Sequence, residues 1–180
     1  MKNIKIPILM YHSIDSTSNK EIMRGMHVTK KRFKFQMWML KMLGYRGLSI
    51  KNLTPYFNGE KSGKVFGITF DDGYQNNLTN AAPILDKYHF NATCYLVSDN
   101  IGLFNTWDLG KGIAQRPLMS EQDVFQWLKL GMDIGAHTKS HIDLTKISEQ
   151  NARKEINDCK IQLEKIFNVP VKDFCYPYGQ

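Results

Sequence analysis

Val65-Phe66-Gly67-Ile68-Thr69-Phe70 reads as a strand that stops abruptly at Asp71-Asp72-Gly73 (VFGITFDDG). Gly73 permits a sharp turn, so both carboxylates are expected to lean over one site at the strand's end. Toward the N-terminus, Gly47–Ile50 is a short strand, followed by a turn or two of helix bearing Leu53, Tyr56 and Phe57. Before it, Thr29 caps a helix that runs to about Leu43, with Phe33, Met37 and Leu40 on one face and Gly44 as its stop. Ile4–Tyr11 (IKIPILMY) is the first strand, with Pro7 near its start. Toward the C-terminus, a helix is expected over Asn77–Tyr88 and a strand over Asn91–Val97. Ser98–Pro117 is a long loop, of the size that in a compact domain usually serves a function. Ser120 opens a helix ended by Gly131, and Met132–Ala136 is a strand. Ser148–Phe167 is a helix with Ala152, Ile156, Cys159, Leu163 and Ile166 along one stripe, and Val171–Tyr176 is the last strand. Strand-helix alternation without hairpin turns argues for parallel β-α-β units, in an open sheet or a barrel.

The chain has 180 residues, one domain's worth, and its 42% apolar and 23% charged residues suffice for a core and argue against disorder. No apolar run approaches the ~20 residues of a membrane span. The N-terminus lacks the layout of a signal peptide, and Cys94, Cys159 and Cys175 make neither a disulfide framework nor a CxxC site. A reducing cytoplasm is therefore the expected location. The net charge of +7 resides in Lys20–Arg46, where eight basic residues face Glu21 alone. No nucleic-acid motif accompanies them, so nucleic acid is not an expected partner. The stretch reads as a solvated helix face, or as a peripheral contact with anionic lipid.

Four strand ends carry reactive groups: Tyr11-His12-Ser13, Asp71-Asp72-Gly73, His137-Thr138-Lys139-Ser140-His141 and Tyr176-Pro177-Tyr178-Gly179. Barrel active sites form at such ends. Two adjacent carboxylates repel, and a divalent cation bound to one leaves the other ionised; two exposed acids in an Asp-Gly turn are the other reading. His137 and His141, four apart, come to one side in a helix or a turn. With one carboxylate they would make a three-ligand site with positions open for water and substrate. In the long loop, Trp107 and Asp108 would stack on and hydrogen-bond a sugar ring, or Trp107 would pack down as a lid.

TFDDG (Thr69–Gly73), HTKSH (His137–His141) and YPYG (Tyr176–Gly179) resemble, in order and spacing, the first three motifs of the polysaccharide deacetylases, the NodB-homology domains of carbohydrate esterase family 4. ILMYHS (Ile8–Ser13) is similar to the branch of poly-N-acetylglucosamine deacetylases, in which the catalytic histidine comes from the N-terminus. The resemblance covers nearly the whole chain. It implies a distorted (β/α)7-type barrel over residues 1–180 with Asp72, His137 and His141 holding a divalent metal, most often zinc, with cobalt, nickel or iron as substitutes. Asp71 is then the general base that takes a proton from the attacking water, and His12 the general acid that protonates the leaving amine. The backbone N–H of Tyr178, beside Pro177, would stabilise the oxyanion. Trp107 would contact substrate.

Two departures accompany the resemblance. Cys175 stands where many members carry the arginine that orients the catalytic aspartate, and the later aspartate-tryptophan motif is absent. The expected activity is removal of N-acetyl groups from a polysaccharide or glycan precursor. The rivals are an O-acetyl esterase or other amidase on the same metal site, and an inactive glycan-binding or scaffold module. Six strands are counted, one fewer than a (β/α)7-type barrel has. The C-terminal strand and helix are therefore expected to be missing, and self-association through the resulting open edge is expected.

Overall fold

The computed structural model describes residues 5–16 and 26–180. Five strands form one parallel sheet: β1 (Ile8–Tyr11), β2 (Arg46–Leu48), β3 (Val65–Phe70), β4 (Thr93–Leu96) and β5 (Asp133–Ala136). β3 is central. It pairs with β1 in the register Ile8↔Gly67 to Tyr11↔Phe70, with β2 along its first half, and with β4 at Thr69 and Phe70. β4 pairs in turn with β5. All six residues of β3 are buried, as expected of a parallel strand covered on both faces. Gly67 lets β1 and the following helix approach: a Cβ there would sit 3.0 Å from both Ile8 and Leu53 side-chain atoms.

The helices are α1 (Lys30–Met42), α2 (Ile50–Phe57), α3 (Ala82–Lys87), α4 (Glu121–Lys129) and α5 (Glu149–Phe167). Four begin at Thr29, Ser49, Ser120 and Ser148, whose hydroxyls accept a backbone N–H three residues on; Ser120 and Asp123 complete a capping box. They bury Phe33 and Met37 of α1, Leu85 of α3, Val124 and Trp127 of α4, and Cys159 and Leu163 of α5 around Phe66, Ile68 and Phe70 of β3.

Four elements differ from those expected. β1 begins only after Pro7, which has no N–H but whose carbonyl accepts Gly67 N–H at 2.8 Å, while Ile4 lies outside the described residues. β2 stops at Leu48 because Ser49 caps α2, and Ile50 is already helical. The helix expected over Asn77–Tyr88 opens with a π turn, Asn77–Ala81, before α3. Val171–Tyr176 is not a full strand: Phe174 makes one parallel bridge to Ala136, with Ala136 N–H to Asp173 O at 2.9 Å and Cys175 N–H to Ala136 O at 3.0 Å. Past that rung the chain turns away at Thr138 (φ 63°), and Pro177 brings no donor.

The long loop is ordered internally. Its two short 3₁₀ turns, Ser98–Asn100 and Thr106–Asp108, close around Asn105. That buried amide gives hydrogen bonds to Asp108 and the Ala114 carbonyl and receives Arg116 N–H.

Of the basic stretch, Lys20, Glu21 and Arg24 lie outside the described residues. No described helix is long and apolar enough to cross a membrane.

Candidate active site

β3 delivers its two carboxylates through a left-handed turn. Asp71 N–H still bonds Tyr11 O at 2.9 Å, holding it in the ladder, and Asp72 (φ 71°) and Gly73 (φ 80°) then reverse the chain. A side chain at position 73 would be strained by that φ and would sit 2.9 Å from Leu96 Cδ2. Asp71 and Asp72 are 4% and 2% exposed, which removes the reading as two exposed turn acids.

β5 delivers His137, whose N–H bonds Leu96 O at 3.0 Å. His141 returns to the same side through a turn, not a helix, with Thr138 at φ 63° and His141 at φ 58°. Thr138 Oγ1 accepts His141 N–H at 2.9 Å. Glu155 of α5 accepts the N–H groups of Lys139 and Ser140 at 2.9 Å each and the Ser140 hydroxyl at 2.9 Å. Among the described residues, six non-glycine ones have φ in the left-handed region, and Asp72, Thr138, His141 and Tyr178 of them belong to this site. Such backbone costs about 1–3 kcal/mol per residue and persists where the surroundings enforce it.

The ligand atoms of Asp72, His137 and His141 all lie within 4.8 Å of one another, and all three residues are buried. Asp72 Oδ1 is 3.4 Å from His137 Nε2 and 3.1 Å from His141 Nε2. His137 Nδ1 is 2.9 Å from the Cys175 carbonyl, which can only accept; that bond fixes Nδ1 as the protonated nitrogen and turns Nε2 to the carboxylate. Both Asp72 oxygens are shut off from water without a well-aligned hydrogen bond. Burial disfavours the charge on Asp72, but the two imidazoles beside it hold its carboxyl well below the usual carboxylate range. Burial likewise opposes charge on His137, yet Asp72, Cys175 and Asp71 push it up to about 10. A buried carboxylate without an aligned donor, set among two imidazole nitrogens, fits a divalent metal.

Asp71 lies alongside. Burial pushes its carboxyl above the ordinary range, against the pull of His137 and His12. His12 Nε2 comes to 4.0 Å from Asp71 Oδ2. Cys175 Sγ, at 3.6 Å from the same oxygen, donates a weak hydrogen bond to it. This contact is invisible in the sequence because positions 71 and 175 meet only in the fold. Glu155 went unremarked for the same reason.

Tyr178 (φ 59°) brings its hydroxyl to 3.3 Å from His141 Nδ1, and Pro177 is buried next to it. Trp107 lies flat on His141, with ring centroids 4.3 Å apart and planes at 15°. One face of the indole is therefore taken by the histidine. Asp108 does not reach outward: it is buried and bonded to Asn105, so its reading as a sugar contact is withdrawn. Beside the cluster opens a cavity of about 400 Å3 lined by Lys111, His141, Ile142, Lys146 and Tyr178 among others.

The profile of the polysaccharide deacetylase family matches residues 58–180. The chain is 32% identical to YxkH of Bacillus subtilis over 99% of its own length and 58% of the relative's. It is 30% identical to the poly-β-1,6-N-acetyl-D-glucosamine N-deacetylase of Staphylococcus epidermidis over 91% of this chain and 57% of that one. The chain thus spans less than two thirds of the length of these curated relatives. Among solved structures, the Streptococcus pyogenes deacetylase PplD, in complex with acetate, superposes with a TM-score of 0.81 at 27% identity, covering 98% of this chain and 75% of PplD.

Proposed function

The chain belongs to the polysaccharide deacetylase family, and from that premise we propose that it is a single NodB-like domain that removes N-acetyl groups from a glycan of poly-N-acetylglucosamine type in a metal-dependent reaction. The observation that carries this reading is the buried Asp72-His137-His141 cluster with Asp71 and His12 at its side. Those three residues would hold a divalent cation, zinc first among the candidates, and the metal would polarise the acetamide carbonyl and acidify water.

The chain's own groups do the rest. Asp71, adjacent in sequence to a metal ligand but pointing to His12 and Cys175, is placed to take a proton from the attacking water. The leaving group is an amine, which must be protonated to depart; His12 is placed to give that proton. The N–H of Tyr178 would face the oxyanion, a contribution of about 2.7–4 kcal/mol for one such donor. Trp107 walls the site with its free face. The acetate held by the streptococcal neighbour is the product that deacetylation releases.

Release of acetate from acetylated glucosamine oligomers, with added zinc or cobalt, is the test. A folded, metal-loaded protein that releases none from several N-acetylated glycans refutes the reading, and release from O-acetylated sugars alone would redirect it to an esterase.

The surface of α1 suggests where this chemistry occurs. Lys30, Lys31, Arg32, Lys34 and Lys41 are exposed and the helix carries no acid. Phe35, Trp38, Met39 and Met42, at i, i+3, i+4 and i+7, form an exposed apolar stripe opposite the buried Phe33 and Met37. An apolar stripe flanked by lysines suits the interface of an anionic lipid surface, and we propose that contact. Cosedimentation with phosphatidylglycerol vesicles, weak or absent with phosphatidylcholine and lost in W38E, is the expected result.

A further inference from the structure

The His12 imidazole approaches Asp71 at 4.0 Å but makes no hydrogen bond among the described residues. The backbone on both sides of it is held: before it, Tyr11 O accepts Asp71 N–H at 2.9 Å, and after it come further bonds. Ser13 and Ile14 are fully buried, and Asn76, just before the π turn, and Asn80, within it, hold them. Asn76 Oδ1 accepts Ile14 N–H at 2.9 Å, and Asn76 Nδ2 donates to Ser13 Oγ at 2.8 Å. Asn80, one turn on, donates its Nδ2 to the Ile14 carbonyl at 2.9 Å. Both polar groups of the Ile14 backbone are thus held by two side chains of one element. On the other side, Ser13 N–H bonds Met26 O at 3.2 Å and Ser13 O accepts Val28 N–H at 3.0 Å. A π turn is a rare device that recurs at functional sites, and here it follows directly on the strand end that carries Asp71 and Asp72.

We infer that Asn76 and Asn80 are positioning residues for His12: they fix the proton donor against the Asp71 side of the site. The inference rests on the reading of His12 as the general acid, and the two can be tested apart. An amine leaving group needs a proton; the phenolate of an activated aryl acetate does not. The zinc-loaded chain is assayed on acetylated glucosamine oligomers and on an aryl acetate, with zinc content and melting temperature recorded for each variant. H12A is expected to lose about a hundredfold in kcat on the amide and to keep the ester rate. N76L/N80A should follow the same split, with about a tenfold loss on the amide, an ester rate within about twofold and unchanged zinc. N80A alone, which removes the bond to the Ile14 carbonyl and an exposed bond from Lys30, should lose about threefold on the amide only. N76D should restore the amide rate, since a carboxylate can accept from both Ile14 N–H and the Ser13 hydroxyl. If H12A shows the split and the asparagine variants lose both activities together, or neither, the clamp is wrong while the reading of His12 stands. If H12A spares amide turnover, the general-acid role falls and the clamp falls with it.

Discussion

Two polar clusters flank the sheet, a buried one at the strand ends and a partly exposed one at the strand starts, and they are built in opposite ways. At the starts of β4 and β5, Ser49 Oγ donates to Asp133 Oδ2 at 2.5 Å, Asn91 Oδ1 accepts Ser49 N–H, Thr93 Oγ1 accepts Ile50 N–H, and Lys51 lies 3.4 Å from Asp133. Each donor meets an acceptor, and every residue in the group has ordinary backbone. At the ends of β3 and β5, by contrast, Asp71 Oδ1 and both oxygens of Asp72 have no aligned donor, and the turns that present them are left-handed. Buried polar groups are normally paired because an unpaired one costs about 1–3 kcal/mol. The first cluster contributes stability. The second draws on it to hold groups ready for a ligand.

Substitutions should separate the two clusters. The largest effect belongs to the strand ends: D72A or H137A should abolish bound zinc and lower deacetylation about a thousandfold or more, with the fold retained. Metal analysis alongside the acetate assay checks it, and unchanged zinc in either variant would break the contrast. C175A should come next. It removes the weak thiol hydrogen bond to Asp71, worth about 0.5–1.5 kcal/mol, so a fall of about two- to tenfold in kcat is expected at unchanged metal content. C175S, which keeps a donor, should remain near the parent rate. The smallest effect belongs to the strand starts: S49A removes both the cap of α2 and the partner of Asp133, costing about 1–2 kcal/mol in a denaturant titration and nothing in turnover. A fall in activity there would show the two ends to be coupled.

Much of this architecture was legible in the chain. Thr29, Ser120 and Ser148 mark helix starts because a hydroxyl satisfies a local donor, and the apolar stripes of α1 and α5 are periodic. These signals act over a few residues and so survive in one dimension. The last strand did not survive: Val171–Tyr176 has the composition of one, but the fold gives it a single bridge, from Phe174 to Ala136 of β5. The π turn was equally hidden, since Asn76 and Asn80 face Ile14, more than sixty residues away in sequence.

The sequence by itself determined most of the elements, their parallel character and the identity of the groups at the strand ends, because motif spacing and local periodicity are properties of neighbouring residues. Only the tertiary structure decided which of those groups meet. It brought Asp72 between two histidines, set Cys175 rather than an arginine against Asp71, laid Trp107 on His141 and turned Asp108 inward. Those pairings depend on distances across the sheet. They are fixed by the register of β1, β3, β4 and β5 and by the left-handed turns that end two of those strands.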